Sequence, residues 1–584
     1  MSDIEGGPLA QSVEHRAFNP RVGGSIPPRL TNLFSMNWRS LLFRWILAIL
    51  VFSFFLSGTA HAAPRWLVLP FENQSDDPQY HWLGEGLARM VSYMLSAAGV
   101  DVVPTEEREA AYRLLSFPEG IILSRASSLR MAQSVGATML LIGTYKVTGT
   151  EAEEHLTLWM RLIDVSAGMV AYGPTEARGP LADVIELQVL SVWDILLHQR
   201  VPVSLSRNEF TSRFRQIPAA AFEMFAKALF VALPERVKML KRAVALVKSP
   251  RPEASFSPAV YELGKGLYHL GEYEAAADWL SRLNIDWSGY WIAQFYLGVC
   301  FYHQGDLASA AERFSAVAEQ YPSDVLFNNL AVIDMKRRKL DEARKNLIVA
   351  LSLNGEDVDV GFNYGYLLWL SGADEEAVSA LEKVTARRTD PEALYVLSRC
   401  FARLGRKKEA ERALSAAEEQ LPDVESWRVP EKMPFLGRMI TEPGVVKAIG
   451  WAKVHSSDEG RGRTSWWVQT LLAAADRLVT EQRNGDAVIV LTKLLEKKPN
   501  VARAHYLRGV AHERLGAYPL AVTDYQAAVF WDPDLVAGYV GLARIYLALG
   551  EKAKAWENVK RALALDSQNA EALALDQKLR QGTP

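Results

Sequence analysis

Ten histidines and two cysteines are the side chains of this sequence best suited to metal binding or nucleophilic chemistry, and their spacing argues against both. No His-Glu-x-x-His pair sets two imidazoles on one helical face, and no Cys/His cluster has zinc-binding spacing. His505 and His512 fall two turns apart on one predicted helix and read as a surface pair. No glycine-rich loop ends in Lys-Ser or Lys-Thr, and Gly84-Glu-Gly86 is only a loose pair at a predicted helix start. No Gly-x-Ser-x-Gly elbow presents a serine. The acidic clusters Asp76-Asp77 and Glu151-Ala-Glu-Glu154 read as solvated loops. The sequence therefore offers no catalytic residue, no cofactor site and no metal site.

Bulk properties narrow the class further. Charged residues make up 23% of the chain and hydrophobic ones 49%, an ordinary balance for a folded protein. A formal net charge of −3 gives no whole-chain attraction to nucleic acid or to an anionic membrane. The apolar run Trp45–Leu56 is shorter than the ~20 residues a spanning helix needs. Met36-Asn-Trp-Arg39 and Arg44 precede it, and Ala60-His-Ala62 follows. Together these predict a secretory signal over 36–62 with cleavage after Ala62, and thus a periplasmic or otherwise exported bacterial protein. The alternative is an uncleaved signal anchored in the inner membrane. Pro8–Pro28 resembles the conceptual translation of a transfer-RNA gene. Residues 1–35 are thus expected to be a mis-assigned or disordered extension, with synthesis starting at Met36.

From Arg65 the pattern is that of an α+β domain. Trp66–Phe71 reads as a buried strand stopped by Pro70 and a polar loop, and Trp82–Ala97 as an amphipathic helix. Val100–Val103 predicts a second strand, and Ser124–Val135 a helix capped by Ser124. Met139–Val147, Leu156–Val165 and Met169–Tyr172 predict a strand meander, and Asp183–His198 a closing helix. Val68-Leu-Pro-Phe-Glu-Asn73, Trp82-Leu-Gly-Glu-Gly-Leu87, Gly136–Gly143 and Leu162-Ile-Asp-Val-Ser-Ala-Gly168 resemble the TolB amino-terminal and FlgO-like domains. That likeness spans 63–200 and implies contacts with other envelope proteins. The propeller that follows in TolB is missing here, so no particular partner carries over.

Beyond Ala259 the sequence repeats. Small residues recur at Gly264, Gly298, Ala331, Gly365 and Ser398, and again at Ala475, Gly509 and Ala543, at intervals of 33 or 34. Gly271, Gly305, Gly372, Gly405, Gly516 and Gly550 take the inter-helix turn, where a left-handed residue is needed. Ala276, Ala310, Ala343, Ala377, Ala410, Ala487, Ala521 and Ala555 take a close helix crossing. Pro322, Pro422, Pro499 and Pro533 end units. These features resemble the tetratricopeptide signature, implying an all-α superhelical solenoid. Pro218–Pro252 reads as a degenerate unit with Glu235 at the turn. The first array then covers 217–422 and the second 464–568. Residues 423–463 form an insertion or hinge, and 569–584 a polar capping helix and tail. Cys300 and Cys400 sit at one place in units three repeats apart, too distant for a disulfide.

The resemblance implies that the first helix of each pair lines a concave groove. Tyr261, Lys265, Tyr268, His269, Phe295, Tyr302, His303, Asn328, Met335, Lys336, Phe362, Tyr366, Trp369, Tyr395, Arg399 and Arg403 are the candidate protein-binding residues. The groove is expected to be aromatic with a basic edge, suited to an extended or helical peptide carrying acidic groups. Some tetratricopeptide domains clamp a terminal carboxylate through a fixed Lys/Asn set. Here Lys265, Val299 and Val332 occupy one of its rows, which disfavours that ligand. The expected function is a non-enzymatic envelope scaffold mediating protein–protein interactions. A periplasmic sensor or regulatory subunit is the alternative, and a cell-wall-directed enzyme the least favoured.

Overall fold

The computed structural model describes residues 64–75, 77–118, 121–149, 153–249, 256–421, 424–428, 433–443 and 466–581. The expected extension, signal segment and cleavage point at Ala62 lie outside these residues, as does most of 423–463.

The N-terminal part is built on a mixed sheet. β1 (Arg65–Val68) lies parallel between β3 (Asp101–Val102) and β4 (Met139–Thr148), and β2 (Glu72–Asn73) pairs in parallel with the far end of β4. β5 (His155–Asp164) and β6 (Met169–Pro180) extend the sheet antiparallel, giving the order β3-β1-β4-β5-β6. Alternating side chains serve two cores. Leu141, Tyr145, Leu156 and Leu158 face α1 (Trp82–Ala97) and α4 (Val184–His198), while Leu67, Leu140 and Ile163 face α2 (Thr105–Leu114) and α3 (Arg125–Ser134). Ser124 caps α3 by accepting from the Ser127 N–H at 3.2 Å. Gly84 is small because α1 presses on the strand exit, where an added Cβ would lie 2.5 Å from the Phe71 carbonyl oxygen. Helix α2 had no sequence signal because its buried face includes Glu107 and Arg108.

A short helix, α5 (Arg207–Phe214), with a Ser206/Glu209 capping box leads into the solenoid. Antiparallel pairs follow: α6 (Ala219–Ala228) with α7 (Leu233–Leu246), α8 (Ser257–His269) with α9 (Tyr273–Leu280), and α10 (Tyr290–Gln304) with α11 (Leu307–Gln320). Next come α12 (Asp324–Lys336) with α13 (Leu340–Leu353), α14 (Val358–Leu370) with α15 (Asp374–Arg387), and α16 (Pro391–Arg403) with α17 (Lys407–Glu418). The second array comprises α18 (Trp466–Thr480), α19 (Asn484–Lys497), α20 (Ala502–Arg514), α21 (Tyr518–Trp531), α22 (Val536–Ala548), α23 (Lys552–Leu565) and the terminal α24 (Ala570–Gln581). It does not continue from α17. Instead α18 and α19 pack against α13, and Lys497 Nζ reaches Glu319 Oε1 of α11 at 3.1 Å.

The repeat turn demands a left-handed residue, as Gly305 shows with φ 82°. Where two units lack the glycine, Arg338 and Gln482 adopt φ 60° and 61° at the same place. A side chain in that region costs about 1 kcal/mol. Arg338→Gly is therefore expected to raise stability by up to about 1 kcal/mol, offset in part by glycine's greater freedom when unfolded. Thermal unfolding checks this, and an unchanged or lower midpoint would show that the strain is relieved elsewhere.

Candidate functional site

The inner helices of the first array bring two asparagines to one face. Asn329 on α12 and Asn363 on α14 each precede the small residue of their unit, Ala331 or Gly365, by two positions, and both are fully buried. What buries them is residues 433–442 of the same chain, which run in the groove from the later repeats toward the earlier ones. The Asn363 amide donates to the Arg438 carbonyl at 2.8 Å and accepts from the Arg438 N–H at 2.7 Å. Asn329 does the same at Ile440, with 2.8 Å and 2.9 Å. Each side-chain amide thus imitates a neighbouring β-strand, satisfying both polar groups of one residue. Asn328 adds a bond to the Arg438 carbonyl at 3.0 Å and accepts from Asn363 at 2.7 Å, locking the ladder.

The side chains of this strap are held as well. Arg438 donates to both Asp390 oxygens at 2.7 and 2.8 Å, to Glu392 at 2.7 Å and to Asp359 at 3.1 Å. Its guanidinium lies 3.6 Å from the Phe362 ring centroid, adding a cation–π contact. Burial pushes the Asp390 carboxyl up, but Arg438, Arg388 and the Ala393 N–H outweigh it and hold the group below the usual carboxylate range. Toward the earlier repeats, the Tyr268 hydroxyl donates to the Thr441 carbonyl at 2.7 Å and Tyr296 donates to Glu442 at 2.8 Å. Further back along the chain, Tyr395 donates to the Trp427 carbonyl at 3.0 Å.

The sequence-predicted residues divide into three groups. Tyr268, Phe362, Tyr366 and Tyr395 touch the insertion; the Leu436 N–H approaches the Tyr366 hydroxyl at 3.5 Å, and Phe435 meets its ring edge-on. His269 lies 3.8 Å from Glu442, and burial lowers its pKa. Lys336 sits over the rings of Tyr302 and Phe435 at 4.4 and 5.7 Å. A second group is spent elsewhere. Tyr261 and Lys265 bind Glu106 of α2, so the N-terminal domain closes the start of the groove. His303 stacks on Tyr273 at 4.2 Å. Arg403 donates to the Trp369 carbonyl at 2.7 Å and pairs with Asp374, and Trp369 stacks on Tyr366. Asn328 and Met335 belong with the first group, buried against the strap.

The third group corrects the expectation. Phe295 is not in the groove but in the core against Phe314, because the inward direction falls one residue later, at Tyr296. Arg399 is solvent-exposed and joins no basic ladder. The basic edge dissolves, since Lys265, Lys336 and Arg403 are each engaged, and the later repeats carry an acidic cage instead. Sequence reasoning missed Asn329, Asn363, Asp359, Asp390 and Glu392. The polar residue recurring two places before the small one was the available signal.

Two other places hold polar clusters. His505 and His512 are not a free surface pair: both approach the buried Asp524 of α21, at 3.6 and 2.9 Å, beside Arg508 at 2.7 Å. In the N-terminal domain a cleft of about 550 Å³ includes Glu85, Arg89, Arg108 and Glu109. Arg89 binds Glu85 at 2.7 Å and Glu109 at 3.2 Å, and also Glu262 on α8. Glu85 and Glu109 are thus paired inside the domain, and Arg89 also ties the domain to the array through Glu262. Cys300 and Cys400 are free, buried thiols, pushed up to about 12 by burial.

A tetratricopeptide-repeat family profile matches residues 261–325, 375–425 and 472–539, and a second profile of the same repeat matches 536–569. Among curated relatives, Hsp70-Hsp90 organizing protein 3 of Arabidopsis thaliana is 30% identical over 93 residues, 16% of this chain and 17% of the relative. Hsp70-Hsp90 organizing protein 2 of the same plant is 22% identical over 247 residues, 41% of each. The chain thus spans well under half of the length of these relatives. A solved tetratricopeptide repeat protein from Parabacteroides merdae is 19% identical and aligns over 50% of this chain and 99% of its own, with a TM-score of 0.21. The chain carries tetratricopeptide repeats, and its helical body is a solenoid of the interaction-scaffold kind built from them.

Proposed function

We propose that this chain is an exported scaffold of the bacterial envelope whose first array grips an extended segment of polypeptide. The observation that carries it is the pair of asparagines reading both backbone groups of alternate residues in the groove. Such a site recognises extended chain as such, which is how a peptide-binding surface gains affinity before side chains add specificity. Export rests on the signal-like segment 36–62, and envelope docking on the TolB-like and FlgO-like motifs between Val68 and Gly168. The Hsp70-Hsp90 organizing proteins are named for Hsp70 and Hsp90. Transfer of a chaperone-tail ligand to this chain is disfavoured, because Lys265 is tied to Glu106 and Val299 and Val332 fill the rest of its row.

A photo-cross-linking residue at Tyr302 in the full chain, expressed in the native host, tests this. The expected product is a second envelope protein joined through an unstructured or terminal segment, with the mature chain starting at Ala63. Cross-links confined to this chain's own 433–442 would count against a groove that serves a partner.

The occupied groove also favours the regulatory alternative, in which binding changes the state of the protein.

A further inference from the structure

We infer that residues Met433–Glu442 are a built-in competitor for the groove, and that the partner displacing them presents an extended segment with an arginine between aliphatic residues. Resting on the groove as a peptide site, this names its ligand chemistry and its regulation.

The ligand chemistry follows from what the groove leaves uncompensated once the strap is lifted. Asp359, Asp390 and Glu392 converge from the starts of α14 and α16, and among the described residues the one array cation paired with them is Arg388, 2.7 Å from Asp359 and 3.1 Å from Asp390. The remaining positive charge comes from Arg438 of the strap, which binds all three acids and covers the Phe362 face. A planar guanidinium matches that fork of carboxylates and the aromatic floor, where an ammonium would satisfy only part of it. An incoming segment without an arginine would leave the three acids together. Leu436, buried, and Ile440, packed on both neighbouring cores, set the aliphatic positions two residues before and two after.

Displacement follows from how the strap is held. Its backbone is read by side-chain amides that distinguish no sequence, so any extended chain makes the same bonds. Asn328, Asn329 and Asn363 face the groove, and water satisfies them when it empties. The strap is internal to the chain, so it competes at the millimolar effective concentration typical of a short tether. A partner in trans thus sees an affinity reduced by the fraction of molecules whose groove is open.

The test uses a fluorescein-labelled synthetic peptide with the sequence of residues 433–442. It is titrated into the full chain and into the variant Leu436→Ala/Arg438→Ala, which weakens the strap and leaves the groove residues untouched. Circular dichroism and thermal unfolding confirm that the variant is folded. The variant is expected to bind at least 10-fold more tightly than the unaltered chain, and a peptide with alanine for its arginine at least 10-fold more weakly. In parallel, excess isotope-labelled peptide added to the unaltered chain is expected to raise hydrogen exchange at its own 433–442, a readout that needs no variant. Equal binding by both chains, with no change in exchange, overturns the competitor and moves the peptide site elsewhere, leaving the scaffold intact. No binding by either chain overturns the competitor and the peptide groove together. Tighter binding by the variant that is indifferent to the peptide's arginine overturns the ligand chemistry.

Discussion

Arg89→Leu is expected to destabilise the protein by about 4 kcal/mol at neutral pH, as breaking a buried ion pair does when the partner charges stay behind. Arg89 joins three carboxylates: Glu85 on its own helix, Glu109 on α2 and Glu262 on α8. The Glu262 side chain is only 6% exposed. Burial pushes the Glu262 carboxyl up, yet Arg89 and Lys265 outweigh it and hold the pKa below the usual value. A carboxyl depressed in the folded state stabilises above its unfolded pKa, and that contribution is lost as the pH falls through the depressed value. Without Arg89 the sign reverses, because burial then dominates and the folded state favours the protonated acid. The deficit of the variant should thus be largest near pH 7 and shrink as the pH drops through the carboxylate range. Denaturant unfolding at several pH values measures this. A deficit independent of pH would mean that lost packing, and not stranded charge, is the cause.

The paired substitution Asn329→Leu and Asn363→Leu is the second large effect. It removes both two-way pairings with Arg438 and Ile440. At about 1 kcal/mol for each net hydrogen bond, the strap should lose roughly 4 kcal/mol of docking free energy. Leucines leave the helices apolar and in register, so α12 and α14 should keep their protection. Hydrogen exchange mass spectrometry is the direct measurement. Peptides covering 433–442 are expected to exchange far faster in the variant, with those from α12 and α14 unchanged. Retained protection would show that the Arg438 cage alone seats the strap.

Much of this was legible. The repeat phase follows from Gly, Ala and Pro, because close crossings and left-handed turns admit few residues. The strands Met139–Thr148 and His155–Asp164 follow from alternation, since each faces two different surroundings. Helix α2 was hidden by charge on its buried side. The groove was harder. Phe295 and Tyr296 are adjacent aromatics, and periodicity does not tell which one points inward when both are buried. The strap was illegible in principle, because an extended segment held by side chains from distant repeats has no periodicity of its own. Pro434 within it and Pro443 just after it mark only that it is not helical.

Helix α13 packs against α12, α14, α18 and α19, and its consecutive residues Leu347, Ile348, Val349 and Ala350 are all buried. Four successive residues point in every direction around a helix, so this outer-layer helix has no solvent side along that stretch. The second array is consequently seated on the first through α13. A fragment ending before Trp466 would lay that apolar stretch bare and stick to copies of itself. The first array is therefore best studied with the second still attached.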